Sequence, residues 1–229
     1  MHYLAGNYPV DLVLLGLFAA FLVLRLRSIL GKRTGLERPA APPVGLRAPG
    51  PVVEARAEPA PPATERKLPD PSGPVGLTLA RIRERERSFD PADFLVQAEA
   101  AFRRIVQAFA EGDRATLRAA LTPDAYAAFE AAISAREAAG ETQRAEIRAV
   151  TQTQITEAAL VQENGIWRAS IDVRFVSDQV SVLLGRDGLP VSGADAVTEL
   201  ADSWTFERWI GGPKSAEAAA WRLAAARSA

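Results

Sequence analysis

Residues 89–117 read FDPADFLVQAEAAFRRIVQAFAEGDRATL, and this run decides how the chain folds. Asp90 is placed to cap a helix, Pro91 fits its first position, and Asp93 sets a carboxylate beside the free N–H groups of the first turn. Phe94, Ala98, Phe102, Ile105 and Phe109 recur every three or four residues and make one apolar face. Gly112 stops the helix, because glycine enters the left-handed conformation without a Cβ clash, and Asp113 restarts the chain. A short helix is expected near residues 114–121. A longer one follows, opened by Thr122 and Pro123, striped with Tyr126, Phe129 and Ile133, and closed by Gly140.

Beyond Gly140 the periodicity changes. Asn164 and Gly165 form a two-residue hairpin signal, which demands positive φ at both positions. The strand after them alternates, with Trp167, Ala169, Ile171, Val173 and Phe175 on one face and Arg168, Ser170, Asp172 and Arg174 on the other. Asp187 and Gly188 mark another turn, and residues 197–209 read as a further strand, ending at Gly211, Gly212 and Pro213. In that strand Trp204 and Phe206 share a core face with Arg208, while Trp209 points the other way. Arg208 is read as an ion-pair partner within the domain in preference to a pocket contact. Helices first and antiparallel strands afterwards define an α+β domain with its helices against one sheet face.

The order of residues in the opening run resembles the pattern of the mitochondrial inner-membrane translocase subunit 44 and its bacterial relatives. Further landmarks of the resemblance are Phe129, Ile133, Arg136, Glu137 and Gly140, then Ala169, Val173 and Phe175, then the WTFER run at residues 204–208, and finally Trp221, Arg222 and Leu223. Two positions depart from the family pattern: Gln97, where glycine is common, and Ala219–Ala220, where Pro-Asn is usual. The resemblance implies a curved, cone-shaped sheet of the nuclear-transport-factor-2-like type around an apolar pocket. Its candidate lining is Phe94, Phe102, Trp167, Ile171, Val173, Phe175, Trp204, Phe206 and Arg208. It also implies a closing strand around residues 221–225, against the helix that alanine propensity favours there. The two-residue spacing of Trp221 and Leu223 sides with the strand.

Three segments are expected: a membrane anchor at residues 1–30, a proline-rich disordered linker at 31–75, and the α+β domain at 76–229. Residues 12–24 contain no polar side chain, and Arg25, Arg27, Lys32 and Arg33 follow closely. From Tyr3 to Leu24 the run measures about 33 Å as helix, enough to span a bilayer core. The one-sided basic cluster is expected to place the N-terminus outside and the domain in the cytoplasm, at what the resemblance implies is a bacterial inner membrane. Anionic headgroups are a candidate contact for those four residues, but the positive-inside signature is the preferred account of them. Eleven of the 16 prolines fall between Pro39 and Pro74. Such a segment buries too little apolar surface to offset its ordering entropy, and about 50 residues of it would reach on the order of 40 Å.

Net charge is −1 overall, but residues 25–88 carry 13 Lys/Arg against 7 Asp/Glu and residues 89–229 carry 14 against 20. The RIRERER run at residues 81–87 is interrupted by glutamates and has no stacking aromatics, so it reads as a solvated helical face and nucleic-acid binding is not expected. Cysteine is absent, and the sole histidine is His2. The domain therefore has no thiol or imidazole base, and no metal or cofactor motif is present in the sequence. The expectation is a non-enzymatic, membrane-tethered adaptor holding a protein partner such as a translocon or chaperone. In the mitochondrial relative that role is to scaffold the import motor, recruit a seventy-kilodalton heat-shock chaperone and contact anionic lipid. The alternatives are a lipid- or small-molecule-binding cone and, third, a pocket enzyme built on a buried carboxylate.

Overall fold

The computed structural model describes residues 63–211 and 220–228. The expected anchor, with Arg25, Arg27, Lys32 and Arg33, and most of the expected linker lie outside those residues. Among the described residues no helix is long and apolar enough to cross a membrane.

Four helices precede most of the sheet: α1 (Pro74–Arg85), α2 (Pro91–Glu111), α3 (Arg114–Ala120) and α4 (Pro123–Ala139). Their punctuation is as the sequence predicts. The Asp90 side chain accepts from the N–H groups of Ala92 and Asp93, Asp113 caps α3 in the same way, and Thr122 caps α4. Gly112 and Gly140 end α2 and α4 at φ 73° and 70°, where any Cβ would be strained. The α2 C-terminus gains two further donors, because the Arg136 guanidinium reaches the Phe109 and Ala110 carbonyls at 2.9 and 3.1 Å.

The sheet has five strands in the order β1-β2-β3-β4-β5: β1 (Glu65–Lys67), β2 (Thr142–Glu163), β3 (Ile166–Leu184), β4 (Pro190–Ile210) and β5 (Arg222–Ser228). It is curved and open, with β1 at one edge and β5 at the other. Three pairings are antiparallel, but β1 runs parallel to β2, which makes the sheet mixed where a purely antiparallel one was expected. Strand β1 also sits inside the stretch expected to be disordered linker. The C-terminal segment is the closing strand that the resemblance implied, since cross-strand pairing to residues 202–207 outweighs alanine's helical preference.

The curvature has a local cause. Opposite an uninterrupted β3, strand β2 carries one extra residue at each of three places, Arg148, Thr151 and Thr156. An unpaired residue of this kind bends its strand and increases its twist. Thr151 and Thr156 turn their hydroxyls back to the Val176 and Asp172 carbonyls of β3, at 3.2 and 3.3 Å. The bend is thereby held by side chains where ladder bonds are missing.

Helix α2 lies against the inner face of this curve. Leu95, Phe102, Ile105 and Ile133 from the helices meet Ala169, Ile171, Val173, Phe175, Phe206 and Leu223 from the sheet, all nearly solvent-free. Burying a side chain of this size contributes about 1.5–3 kcal/mol, so this helix–sheet layer is the main source of stability.

Candidate functional site

The inner face of the sheet is where the candidate lining residues meet. Phe102 stacks on Phe175, with ring centroids 4.4 Å apart and planes 9° from parallel, and meets Trp204 edge-on at 4.7 Å. Phe94 makes edge contacts with Phe206 at 6.0 Å and with Trp221 at 4.9 Å. Ile171 and Val173 are fully buried between these clusters. Each aromatic pair of this geometry adds about 0.5–1.5 kcal/mol beyond area burial. Phe94, Phe102, Ile171, Val173, Phe175, Trp204 and Phe206 thus form one continuous core and pack on one another.

The remaining two candidates lie at its margin. Trp167 is half-buried, and the Arg85 guanidinium stands 3.8 Å from its ring centroid, a cation–π contact. Arg208 pairs with Glu86 of the segment after α1 at 2.9 Å, with both side chains largely covered. Ser88 and then Arg208 hold the Glu86 carboxyl below the usual carboxylate range. Arg208 is therefore an ion-pair partner across the layer and not a pocket contact.

Beyond Phe175 the same face of β3 turns polar, and the sequence reading did not follow it there. Ser177 and Gln179 are buried, and Gln179 Nε2 donates to Ser177 Oγ at 2.8 Å and to Asp202 Oδ2 at 3.3 Å. Thr153 of β2, opposite Phe175, is fully buried, and its hydroxyl finds no hydrogen-bond partner. The signal was available in the continued two-residue spacing from Phe175 to Ser177 to Gln179. Among the described residues no group of three or more His, Asp or Glu side chains is arranged to hold a metal ion.

Toward the β2–β3 turn the outer face of the sheet is ion-paired. Arg168 bridges Glu163 and Glu207, each at 2.7 Å, and these contacts raise its pKa. It sits between Val161 and Trp209 in one cross-strand row, and both of those are exposed, Trp209 at 40 %. Asp172 is half-buried on this face and lies 3.7 Å from Arg227. A further recess of 490 Å³ opens between α2 and the start of β2, lined by Arg103, Val106, Gln107 and Glu111 on one side and residues 143–147 on the other.

This arrangement of helices before a bulged, open sheet coincides with a known domain. A Tim44-like domain model matches residues 75–228. The chain belongs to the Tim44-like family. That family is involved in protein translocation and membrane association. The match begins at the first turn of α1 and ends in β5, so it takes in both aromatic clusters and the Arg208–Glu86 pair. Among solved structures, the Tim44-like domain is similar to the intermembrane space region of the chloroplast protein ARC6. The identity is 10 %, covering 58 % of this chain and 95 % of that one, with a TM-score of 0.40. No match was found among curated proteins.

Proposed function

We propose that this Tim44-like protein is a non-enzymatic adaptor, held to a bacterial inner membrane by its N-terminal segment, which presents its domain to a protein partner on the cytoplasmic side. The observation that carries the reading is the family match over residues 75–228. Four features support the finer statement. Seven of the nine candidate lining residues are spent on each other in the core, which favours a surface over an interior pocket as the working part. The only histidine is His2 and cysteine is absent, so the domain has neither an imidazole nor a thiol for catalysis. The apolar residues 12–24 with their trailing arginines and lysine supply the tether, and the acidic domain suits a protein partner better than anionic lipid.

The test is crosslinking of the full-length protein in intact membranes, with native mass spectrometry of the same preparation. Capture of a defined translocon or chaperone component through domain residues is the expected result. A bound acyl chain or small molecule with no protein captured overturns the adaptor reading in favour of a ligand-binding cone.

A further inference from the structure

Strand β1 has three residues, and among the described residues its only strand neighbour is β2, through Glu65, Arg66 and Lys67. So short a parallel pairing is not self-sustaining. The anchor is a carboxylate in helix α2. Glu99 is the one charged residue on the buried side of that helix, at 9 % exposure. Its Oε2 accepts from Arg66 Nη2 at 2.8 Å, and its Oε1 accepts from Arg103 Nη2 at 3.2 Å. The Thr64 hydroxyl lies 3.2 Å from the same Oε1 and 2.8 Å from the Val150 carbonyl, one proton shared between two acceptors. A carboxylate at this depth requires such partners, and two of the three come from the segment that precedes the domain. The chain then leaves the sheet at Leu68, which is 51 % exposed, and turns through Asp70 and Gly73 into α1.

We propose that residues 64–67 are a releasable strap, by which Glu99 fastens the chain preceding the domain to the outer edge of β2. Fastened, the chain departs at Thr64; released, it departs at Leu68, ahead of the turn that Asp70 and Gly73 hold against α1, and the four freed residues add about 13 Å of reach. The geometry suits reversible release. The strap contributes nothing to the aromatic core, its clamping Arg66 is 40 % exposed, and exposed ion pairs weaken as salt rises. Arg103, on the same helix as Glu99, stays with the carboxylate when the strap leaves. The inference does not depend on what partner the domain holds.

Hydrogen exchange on the full-length protein in detergent tests it, read separately over residues 64–68 and over α2. In the wild type those amides of residues 65–67 that face β2 are protected at low ionic strength and lose protection as sodium chloride is added, while α2 does not change. Glu99→Gln raises exchange at 65–67 by about tenfold or more, the loss of a charge-assisted hydrogen bond. The double variant Thr64→Val, Arg66→Gln does the same without touching α2, so a folding defect from Glu99→Gln cannot mask the result. Equal exchange at 65–67 in all three proteins, or exchange there that rises only together with α2, overturns the strap.

Discussion

Two adjacent residues on β3 test the orientation of the sheet. Val173 is fully buried, opposite Ile155 on one side and Trp204 on the other, whereas Asp172 faces outward near Arg227. Replacing Val173 with Asp forfeits about 1.5–3 kcal/mol of apolar burial. It also buries a carboxyl without a partner, a further penalty of about 1–3 kcal/mol even when the group stays protonated. The expected loss is about 2.5–6 kcal/mol, a large share of the roughly 5–15 kcal/mol that holds a domain together. The loss also depends on pH. Burial raises the new carboxyl's pKa above its unfolded value near 3.9, so the folded state holds a proton that the unfolded state has released. Stability relative to wild type therefore falls by about 1.4 kcal/mol per pH unit, from the unfolded value up to the folded one. Asp172→Asn changes stability by about 0.5 kcal/mol or less. Urea melts of the full chain followed by tryptophan emission, at several pH values, give both numbers. A tolerated, pH-independent Val173→Asp beside a damaging Asp172→Asn would mean that the strand faces the other way.

Other expectations follow from the same contacts. Phe102→Ala removes the stacked pair with Phe175 and the edge contact with Trp204, and should lower the unfolding free energy by about 3–5 kcal/mol in the same melts. Arg136→Ala strips the donor from the Ala110 carbonyl at the end of α2 and should cost about 1–3 kcal/mol, with Arg136→Lys restoring less than the full amount. Glu130 and Glu137 have pKa values lowered by hydrogen bonds from Arg114. Their stabilisation is complete above the unfolded carboxylate value and is lost as pH falls through the depressed folded values. Arg114→Ala should accordingly flatten the acid limb of a stability–pH curve measured by thermal melts.

Much of the domain is legible in the sequence because local and long-range demands agree there. In α2 the caps, the proline, the aromatic spacing and the terminal glycine all point to one helix. At Asn164 and Gly165 the turn takes the positive φ values that the dipeptide favours, 51° and 83°. Strand β3 keeps its two-residue alternation through Phe175, and the pairing of Trp204 and Phe206 follows from parity alone. Strand β2 is harder to read for a physical reason. Its inward residues are Ile147, Val150, Thr153, Ile155, Ala158 and Leu160, so each extra residue stretches the spacing from two to three. That pattern imitates neither a clean strand nor a clean helix. Strand β1 is illegible because nothing local favours it; its partner, Glu99, is 33 positions from Arg66. Ser177 and Gln179 were missed because a polar residue in strand alternation normally marks the solvent side, and here the inner face changes character part-way along.

The shape of the sheet resides in residue count more than in residue identity. Strand β2 uses 22 residues where β3 uses 19, and the surplus is Arg148, Thr151 and Thr156. None of the three belongs to the hydrophobic core, so a scan that exchanges their side chains would register at most the two threonine hydrogen bonds to β3 and nothing of the extra length. Removing them is a different operation. Each can be cut out without shifting any neighbouring pair, and each cut would straighten β2 by one bend, leaving every core residue in register on a sheet too flat to follow α2. For this domain, strand length carries a part of the fold that a substitution experiment cannot see.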